Sequence, residues 1–318
     1  MSNGRVENET LRLTADADTG LLTICSPVWE ALRIGPLTAR LTVNARRLEP
    51  VKRTFAAAGG TLSLTTKFEP LTLQLEQQAE IVDDRTVRLR SELVNASAQD
   101  VCLNRVELLS TETGPLSAVR LAAETGALCI FEQGQYWARV RRAAAASRAP
   151  AAGGEADFGT AASHHSQTCW AAYDAESRMA LVVGFETAER WLGEIATEET
   201  VGEQPSAWTV GFDGGDVLIG PGERVALEDA LLLVGPDPWE LLAHYADLVA
   251  KRHNVQVLPR SPVSWCSWYP YRLGVTEERV LANARIAAER LKPLGLSIME
   301  LDLGWERGWL PNEFAEND

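Results

Sequence analysis

Two short motifs near the C-terminus combine aromatic and acidic side chains. The first, residues 265–269, reads WCSWY, and the second, residues 301–305, reads LDLGW. The indole ring of a Trp is a flat apolar surface on which the C–H face of a pyranose can stack. A carboxylate such as Asp302 can accept hydrogen bonds from two hydroxyl groups, and charged acceptors make the stronger bonds. These residue types are therefore the minimum needed to hold a neutral sugar.

A β-α-β unit is predicted to position both motifs. Residues 263–268 and 296–302 are short apolar segments typical of strands. Between them, Thr276 can cap a helix, and Pro293 and Gly295 end it. The apolar positions of this helix are Val280, Leu281, Ala284, Ala287 and Leu291. A strand, a crossover helix and a strand indicate parallel pairing. In barrel enzymes the C-terminal ends of parallel strands face the active site, and both motifs fall at such ends.

Two side chains of the first motif are given structural roles. Cys266 lies between two Trp residues with no His nearby in the sequence, which favours a buried inert thiol over a nucleophile. Trp265 shares a strand face with Val263, away from Trp268, and is expected to pack beneath the helices.

The first 235 or so residues are predicted to form an antiparallel β-sandwich. Apolar and polar residues alternate over 37–43, 71–76 and 86–93, which is typical of strands with one buried and one wet face. Turn sequences such as Gly59-Gly60 and Gly214-Gly215 separate the strands. Many strands with no helix between them indicate a sandwich.

A helix is predicted to follow the sandwich. Asp237 is a suitable N-cap, and Pro238 occupies the first helical position. The predicted apolar positions are Trp239, Leu242, Ala243, Ala246 and Val249, and the helix is expected to end near Arg252. Trp239 is expected to pack this linker helix on the sandwich. Pro259 and Pro262 mark the joint with the next segment.

The two motifs, in this order and with the helix between them, resemble the start of the catalytic barrel in glycoside hydrolase family 36, which contains α-galactosidases and raffinose synthase-like enzymes. The segment from Gly220 through the helix at Asp237 resembles the exit from that family's N-terminal β-supersandwich. The resemblance implies a supersandwich over residues 1–236, a linker helix and joint over 237–259, and the first β-α-β unit of an incomplete (β/α)8 barrel over 260–318.

The resemblance also implies roles for individual residues. Trp268 corresponds to the aromatic wall of the galactose subsite. Asp302 corresponds to the first carboxylate of the family's Asp-Asp-Gly-Trp pattern, which binds the 4- and 6-hydroxyls, and Gly304 and Trp305 complete that pattern. Leu303 stands where the family has the second Asp, so one arm of the hydroxyl clamp is missing.

A neighbouring carboxylate is predicted to replace the missing acceptor. Glu300 and Asp302 are two residues apart in a predicted strand, so their side chains are expected on the same face. Glu300, or Glu306 in the following loop, then supplies the second acceptor.

The mechanism implied by the resemblance is retaining hydrolysis, in which a nucleophilic and a proton-donating carboxylate lie roughly 5 Å apart. In the family these residues follow the fourth and sixth barrel strands, so no residue of this chain is assigned as catalytic. A complete barrel takes about 250 residues, whereas 56 residues follow Pro262. The expectation is an inactive N-terminal part of an enzyme that cleaves terminal α-galactosides. The alternatives are a transglycosylase of the raffinose synthase type and a non-catalytic carbohydrate-binding β-sandwich.

Composition narrows the class of protein. The formal net charge of −14 argues against a nucleic-acid binder and against docking on anionic lipid. The first 20 residues lack the apolar core of a secretory signal, and no apolar run reaches the ~18 residues of a membrane span. The five cysteines are far apart, which favours a reducing compartment. We therefore expect a cytoplasmic protein without cofactor or metal whose partner is a small neutral sugar or an oligosaccharide; a homo-oligomer is left open.

Other chemically distinctive residues are given ordinary roles. The pair His164 and His165 lies in a polar stretch with no second ligand pair at a useful spacing, so it is interpreted as surface rather than metal-binding. The Ala-, Pro- and Gly-rich stretch 143–154 is interpreted as a loop. The arginines in or beside it, which are interpreted as solvated, are Arg139, Arg141, Arg142 and Arg148. The tryptophans expected to pack in the core or between domains are Trp137, Trp170, Trp191 and Trp208.

The predicted unit 260–318 is also expected to be weakly stable. Two parallel strands and one helix leave unpaired strand edges and an exposed apolar helix face. The chain by itself is therefore expected to aggregate or to have a molten C-terminal segment.

Overall fold

The computed structural model describes residues 4–111, 119–121, 128–134, 138–143, 163–198 and 207–305. The chain divides into two compact units, Met1–Asn254 and Val255–Asp318. The predicted division at residues 236 and 259 is a finer one and stays a prediction. The predicted loop after residue 143, together with Trp137, Arg148 and Glu306, lies outside the described residues.

The first unit is built mainly from β strands. In chain order they are β1 (Arg5–Glu7), β2 (Arg12–Ala15), β3 (Leu22–Cys25), β4 (Arg33–Val43), β5 (Arg46–Leu48), β6 (Pro50–Ala58), β7 (Thr61–Phe68), β8 (Leu73–Ile81), β9 (Thr86–Asn95), β10 (Val101–Thr111), β11 (Val119–Arg120), β12 (Leu128–Gln133), β13 (Ala138–Ala143), β14 (Ser163–Gln167), β15 (Cys169–Asp174), β16 (Met179–Phe185), β17 (Gly193–Glu198), β18 (Ala207–Ile219), β19 (Arg224–Ala226) and β20 (Ala230–Gly235).

These strands form two sheets. One has the order β1-β2-β3-β4-β10-β18-β17-β14, and β5 and β11 also pair with β4. The other has the order β13-β12-β15-β16-β20-β9-β8-β7-β6, and β19 also pairs with β9. All pairings among the described strands of these two sheets are antiparallel. The predicted antiparallel architecture is confirmed.

The two sheets enclose one hydrophobic core. Leu41 of the first sheet and Leu75 of the second belong to the same buried cluster. Trp208 of the first sheet and Trp170 of the second are fully buried, with ring centroids 5.9 Å apart. Trp191 is buried as well. Burying a large apolar side chain contributes about 1.5–3 kcal/mol, so this layer is the main source of the unit's stability. The β-sandwich prediction is confirmed, as is the core position of these three tryptophans.

Strand β4 departs from the predicted alternation of buried and wet faces. In β8 alternate side chains are buried, as predicted. In β4, however, the polar Thr38 and Arg40 are buried too, so the predicted wet face is wrong. The guanidinium of Arg53 donates to the Thr38 hydroxyl at 2.7 Å, and that of Arg40 donates to the carbonyl of Thr111 at 3.1 Å. These partners replace water, which makes burial of the polar residues tolerable.

A half-buried carboxylate joins three strands of the first sheet. Glu194 of β17 is bonded to the Nδ1 atom of His165 in β14 at 2.5 Å and accepts from Arg105 of β10 at 2.9 Å. The hydrogen bond from His165 and the charge of Arg105 lower the pKa of Glu194 to about 2, against the opposing effect of burial. His165 is exposed, in agreement with its predicted surface position.

This carboxylate is expected to make stability depend on pH. Because the folded-state pKa of Glu194 lies below its ordinary value of 4.5, the stabilisation is complete above pH 4.5 and is lost as the pH falls towards about 2. We expect Glu194→Gln to lower the free energy of unfolding by roughly 2 kcal/mol at pH 7 and by somewhat less than half of that at pH 3. Urea denaturation at both values measures this difference, with exposed Glu30→Gln as the control. An equal loss at pH 7 and pH 3 would contradict it.

Helix α1 (Pro238–Arg252) packs on the outer face of the second sheet. The Asp237 carboxylate accepts from the backbone N–H of Trp239 at 2.8 Å and of Glu240 at 3.3 Å, which confirms the predicted N-cap. Leu241 is 1% exposed and lies in a cluster with apolar residues of β15, β16 and β20. The Tyr245 hydroxyl donates to the carbonyl of Phe185 at 2.7 Å.

The predicted contact face of α1 is wrong in two respects. Trp239 is 73% exposed, so it does not pack the helix on the sandwich. Ala243 and Ala246 are exposed as well. The helix is rotated about its axis by roughly one residue relative to the prediction, so that Leu241 and Tyr245 pack against the sheet. No helix among the described residues combines the length and apolarity needed to cross a bilayer.

The second unit contains a β-α-β arrangement, as predicted. Strands β21 (Val263–Cys266) and β22 (Leu296–Glu300) pair in parallel. Between them lie the short helix α2 (Trp268–Tyr271) and helix α3 (Glu277–Ile286), and α3 continues through a wide turn, Ala287–Leu291, and a tight one, Lys292–Leu294. The Thr276 hydroxyl caps α3 by accepting from the N–H of Arg279 at 3.4 Å.

Both strands of this unit are shorter than predicted. The strand predicted over 263–268 ends at Cys266 because the chain turns into α2, and the strand predicted over 296–302 ends at Glu300. The predicted apolar face of α3 is partly open. Leu281 and Leu291 are exposed, Val280 and Ala284 are half-buried, and Ala287 is buried. This exposure is the feature from which weak stability of the unit was predicted.

Candidate functional site

One buried hydroxyl joins the two strand ends of the second unit. The backbone N–H of Ser267 donates to the carbonyl of Glu300 at 3.1 Å. The N–H of Asp302 donates to the hydroxyl of Ser267 at 2.9 Å, and Ser267 is fully buried. The residues that follow β21 are thereby fixed to those that follow β22. Trp268 directly follows Ser267, so these hydrogen bonds hold the backbone next to Trp268 close to the backbone of Asp302.

The carboxylate of Asp302 is held at both oxygens. Its Oδ1 accepts from the backbone N–H of Leu303 at 2.6 Å, and its Oδ2 accepts from the thiol of Cys266 at 3.2 Å. A carboxylate has about four acceptor positions, so each oxygen retains a lone pair for a further donor. Asp302 is half-buried, which leaves a side accessible to a ligand. The group is therefore oriented by the protein and still able to bind hydroxyls.

Glu300 lies beside this carboxylate, although Asp302 follows the end of β22 rather than lying within the strand. Side-chain atoms of Glu300, Asp302 and Cys266 lie within 4.8 Å of one another. Partial burial, the hydrogen bond to Asp302 and the charges of both carboxylates raise the pKa of the Cys266 thiol, against the opposing effect of the Trp268 N–H. The thiol is thus a hydrogen-bond donor rather than a nucleophile. The prediction of a buried Cys266 is wrong in degree, because this side chain is half-buried at the end of β21.

Within the described residues, these three side chains form a group whose ligand atoms are close enough together to hold a metal ion. Metal binding requires the thiolate, and the raised thiol pKa opposes loss of the proton. Hydrogen bonding to hydroxyls needs no such deprotonation. The absence of a metal site stays a prediction.

The aromatic residues of the motifs are partly accessible. Trp268 begins α2 and is half-buried, whereas Trp305 is 61% exposed. Because Trp268 is helical, its predicted orientation as a strand residue opposite Trp265 does not apply. Trp265 is half-buried, and its ring centroid lies 6.4 Å from that of Tyr271.

Gly304 is required by its surroundings. Its φ is +106°, and a Cβ atom added there would lie 2.8 Å from the Cα of Leu273. Only glycine tolerates both the backbone conformation and the close approach. This packing fixes the turn that follows Asp302 and explains the glycine of the LDLGW motif without reference to any family.

Ser267 and Cys266 were not predicted as parts of the site. Ser267 carries no chemical signature in the sequence, and its role depends on the return of the chain at Glu300, a contact between residues 33 apart. For Cys266, position within the motif was a signal, but its partner Asp302 becomes visible only once β21 and β22 are paired in parallel. The structure brings Cys266, Glu300 and Asp302 together; Trp268 and Trp305 are accessible side chains next to this group in sequence.

Comparisons with known proteins show which fold this is. No family model matches the chain. An α-galactosidase from Lactobacillus brevis superposes with a TM-score of 0.57 at 10% identity, covering 95% of this chain and 48% of that one. An α-N-acetylgalactosaminidase from Bifidobacterium bifidum gives 0.52 at 14% identity, covering 95% and 52%. A glycoside hydrolase family 97 enzyme from Pseudoalteromonas sp. strain K8 gives 0.56 at 11% identity, covering 97% and 48%.

The chain thus has the β-sandwich fold found in this class of glycoside hydrolases. It spans about half the length of each of these structures. Among them are enzymes described as acting on α-linked galactose or N-acetylgalactosamine. At these identities the likeness establishes the fold alone.

Proposed function

We propose that this chain is the sandwich and first β-α-β part of a retaining glycoside hydrolase of family 36 type that cleaves terminal α-galactosides. The observation that carries the proposal is the Asp302 carboxylate, which is oriented by Leu303 and Cys266 at the C-terminal ends of two parallel strands. In enzymes built on such strands, this is the end at which substrates bind.

The residues of this chain bind and orient the sugar. Asp302 accepts hydrogen bonds from two ring hydroxyls, and Glu300 supplies the acceptor that is missing at Leu303. Trp268 stacks on the C–H face of the pyranose, and Trp305 borders the site. Held in this way, the glycosidic bond points towards groups that the rest of the enzyme contributes.

Glu300 and Asp302 are not proposed as the catalytic pair. In a retaining enzyme the nucleophile and the acid/base flank the scissile bond, one on each side of the anomeric carbon. Glu300 and Asp302 instead lie side by side at the end of one strand, with side-chain atoms within 4.8 Å, and so line a single wall of the site. No residue of this chain is assigned to the chemical step.

Glu300→Gln tests the second acceptor. If Glu300 receives a sugar hydroxyl, the amide keeps the shape but loses the charge-assisted bond, worth about 1.5–3 kcal/mol. We expect methyl α-D-galactoside to bind roughly 10-fold more weakly, measured by titration calorimetry. Exposed Glu289→Gln, in the turn after α3, is the control. Unchanged affinity in Glu300→Gln would remove Glu300 from the site and leave the role of Asp302 to be judged separately.

A further inference from the structure

A polar cavity lies within the first unit, on the sandwich itself. It has a volume of about 290 Å³, near the lower end of ligand pockets, which begin at ~300 Å³. One wall is the segment Thr187–Arg190 after β16, and another is the run 223–229 that contains β19. Arg252 in the last turn of α1 completes the cavity. A cavity of this size suits a small molecule rather than a polymer segment.

The walls of this cavity are fixed by Glu228. Its buried carboxylate accepts from the Thr187 hydroxyl at 2.6 Å and from the backbone N–H groups of Glu189, Arg190 and Trp191 at 2.8–3.1 Å. These bonds lower the pKa of Glu228 although burial opposes them. Four donors on one carboxylate hold the loop rigidly against β19, so the cavity is formed before any ligand arrives.

Asp229 is a nearly buried carboxylate in the wall of this cavity. It is 8% exposed. Its partners are at ion-pair distance only: the Nη2 atom of Arg252 at 3.6 Å and the Nε atom of Arg90 at 3.8 Å. A buried carboxylate normally accepts several hydrogen bonds. Both arginines lie beyond hydrogen-bond distance, so the carboxylate can still accept hydrogen bonds from a ligand in the cavity.

Asp229 is also unfavourable for folding when it is ionised. Burial raises its pKa even though Arg252 and Arg90 lie nearby. A residue that a fold retains at a cost to stability is typical of a binding site. Its amide analogue Asp229→Asn is accordingly expected to leave the melting temperature unchanged or higher.

We propose that this cavity is an accessory binding site for a neutral sugar, held by Asp229 and Arg252. A hydroxyl both donates and accepts, so one hydroxyl of a vicinal pair donates to the Asp229 carboxylate while its neighbour accepts from the Arg252 guanidinium. This site lies outside the second unit and involves neither Trp268 nor Asp302. It does not depend on the proposed glycosidase function.

The charges around the cavity favour a neutral ligand over an anion. Four acidic residues and three arginines line it. One of these arginines, Arg224, is already paired with Glu76 and Glu92 on the sheet surface. The remaining charge is negative, which disfavours phosphate or a carboxylate ligand. No aromatic ring is among the described lining residues, so binding rests on hydrogen bonds and is expected to have a millimolar Kd.

The experiment uses the 318-residue chain carrying Asp302→Asn, which weakens sugar binding by the second unit. D-galactose is titrated to about 100 mM, well above a millimolar Kd, while amide shifts are followed in ¹H–¹⁵N NMR spectra. Saturable shifts are expected in residues 187–190 and 225–229. Adding Asp229→Asn or Arg252→Met should weaken binding at least 10-fold, whereas exposed Asp247→Asn on α1 should leave it unchanged.

Three outcomes would overturn this assignment. The first is the absence of shifts in both segments. The second is saturable binding that Asp229→Asn does not weaken although the spectrum shows an intact fold. The third is perturbation of the same amides by inorganic phosphate but not by galactose, which would identify an anion site. None of these outcomes bears on the proposed sugar site at Asp302, because the Glu300 and Asp302 variants test that site separately.

Discussion

Asp302→Asn is expected to weaken binding of methyl α-D-galactoside by 10- to 100-fold. The amide still accepts through one oxygen, but its NH₂ group faces donors, and the charge-assisted bonds to hydroxyls, each worth about 1.5–3 kcal/mol, are lost. The fold is expected to be little affected, because the Ser267 hydroxyl contacts the backbone N–H of residue 302 rather than the side chain. Calorimetry measures the affinity, and near-UV circular dichroism measures the fold.

The orientation of Asp302 by the Cys266 thiol can be tested in the same assay. Cys266→Ser retains a donor and is expected to stay within a few-fold of the original affinity, whereas Cys266→Ala removes the donor and is expected to fall between the original protein and Asp302→Asn. If Asp302→Asn binds the galactoside as tightly as the original chain, Asp302 has no part in sugar binding and the proposed function loses its main support.

Trp208→Ala is expected to cause the largest loss of stability. Trp208 is fully buried between the sheets, next to Trp170, and large-to-small changes of this kind cost about 3–5 kcal/mol because a cavity remains. Since marginal stability is about 5–15 kcal/mol, much of the protein's stability is lost. Urea denaturation followed by circular dichroism measures the change.

Two matched variants complete this prediction. Trp239→Ala removes an equally large side chain from a 73% exposed position and is expected to change stability by less than about 0.5 kcal/mol. Trp208→Phe is expected to be mild, because the indole N–H of Trp208 has no hydrogen-bond partner in the described chain and its removal leaves no acceptor unpaired. Equal losses in Trp208→Ala and Trp239→Ala would contradict the packing described above.

Local signals in the sequence predicted local structure well. The Asp237 and Thr276 caps depend on contacts two or three residues away, and both are present. Strand alternation predicted the buried face of β8. These features follow from backbone periodicity, which neighbouring residues determine.

Features set by distant contacts were missed. The helical spacing of α1 allowed several contact faces, and the outer surface of β16 and β20 selected the face at Leu241 instead of Trp239. The apparent strand at 263–268 was cut short because Ser267 bonds to Glu300 and the chain turns into α2. The cavity at Asp229 joins segments more than 60 residues apart, and no spacing in the sequence marks it.

The most direct test of the proposed sugar site is an NMR titration of the unaltered chain with methyl α-D-galactoside. If Asp302, Glu300 and Trp268 bind the sugar, the amides of Ser267, Trp268 and Leu303 shift saturably. In Asp302→Asn the same shifts should require a roughly 10- to 100-fold higher sugar concentration. Saturable binding that leaves these three amides unmoved, or no binding at any concentration up to about 100 mM, would contradict the account.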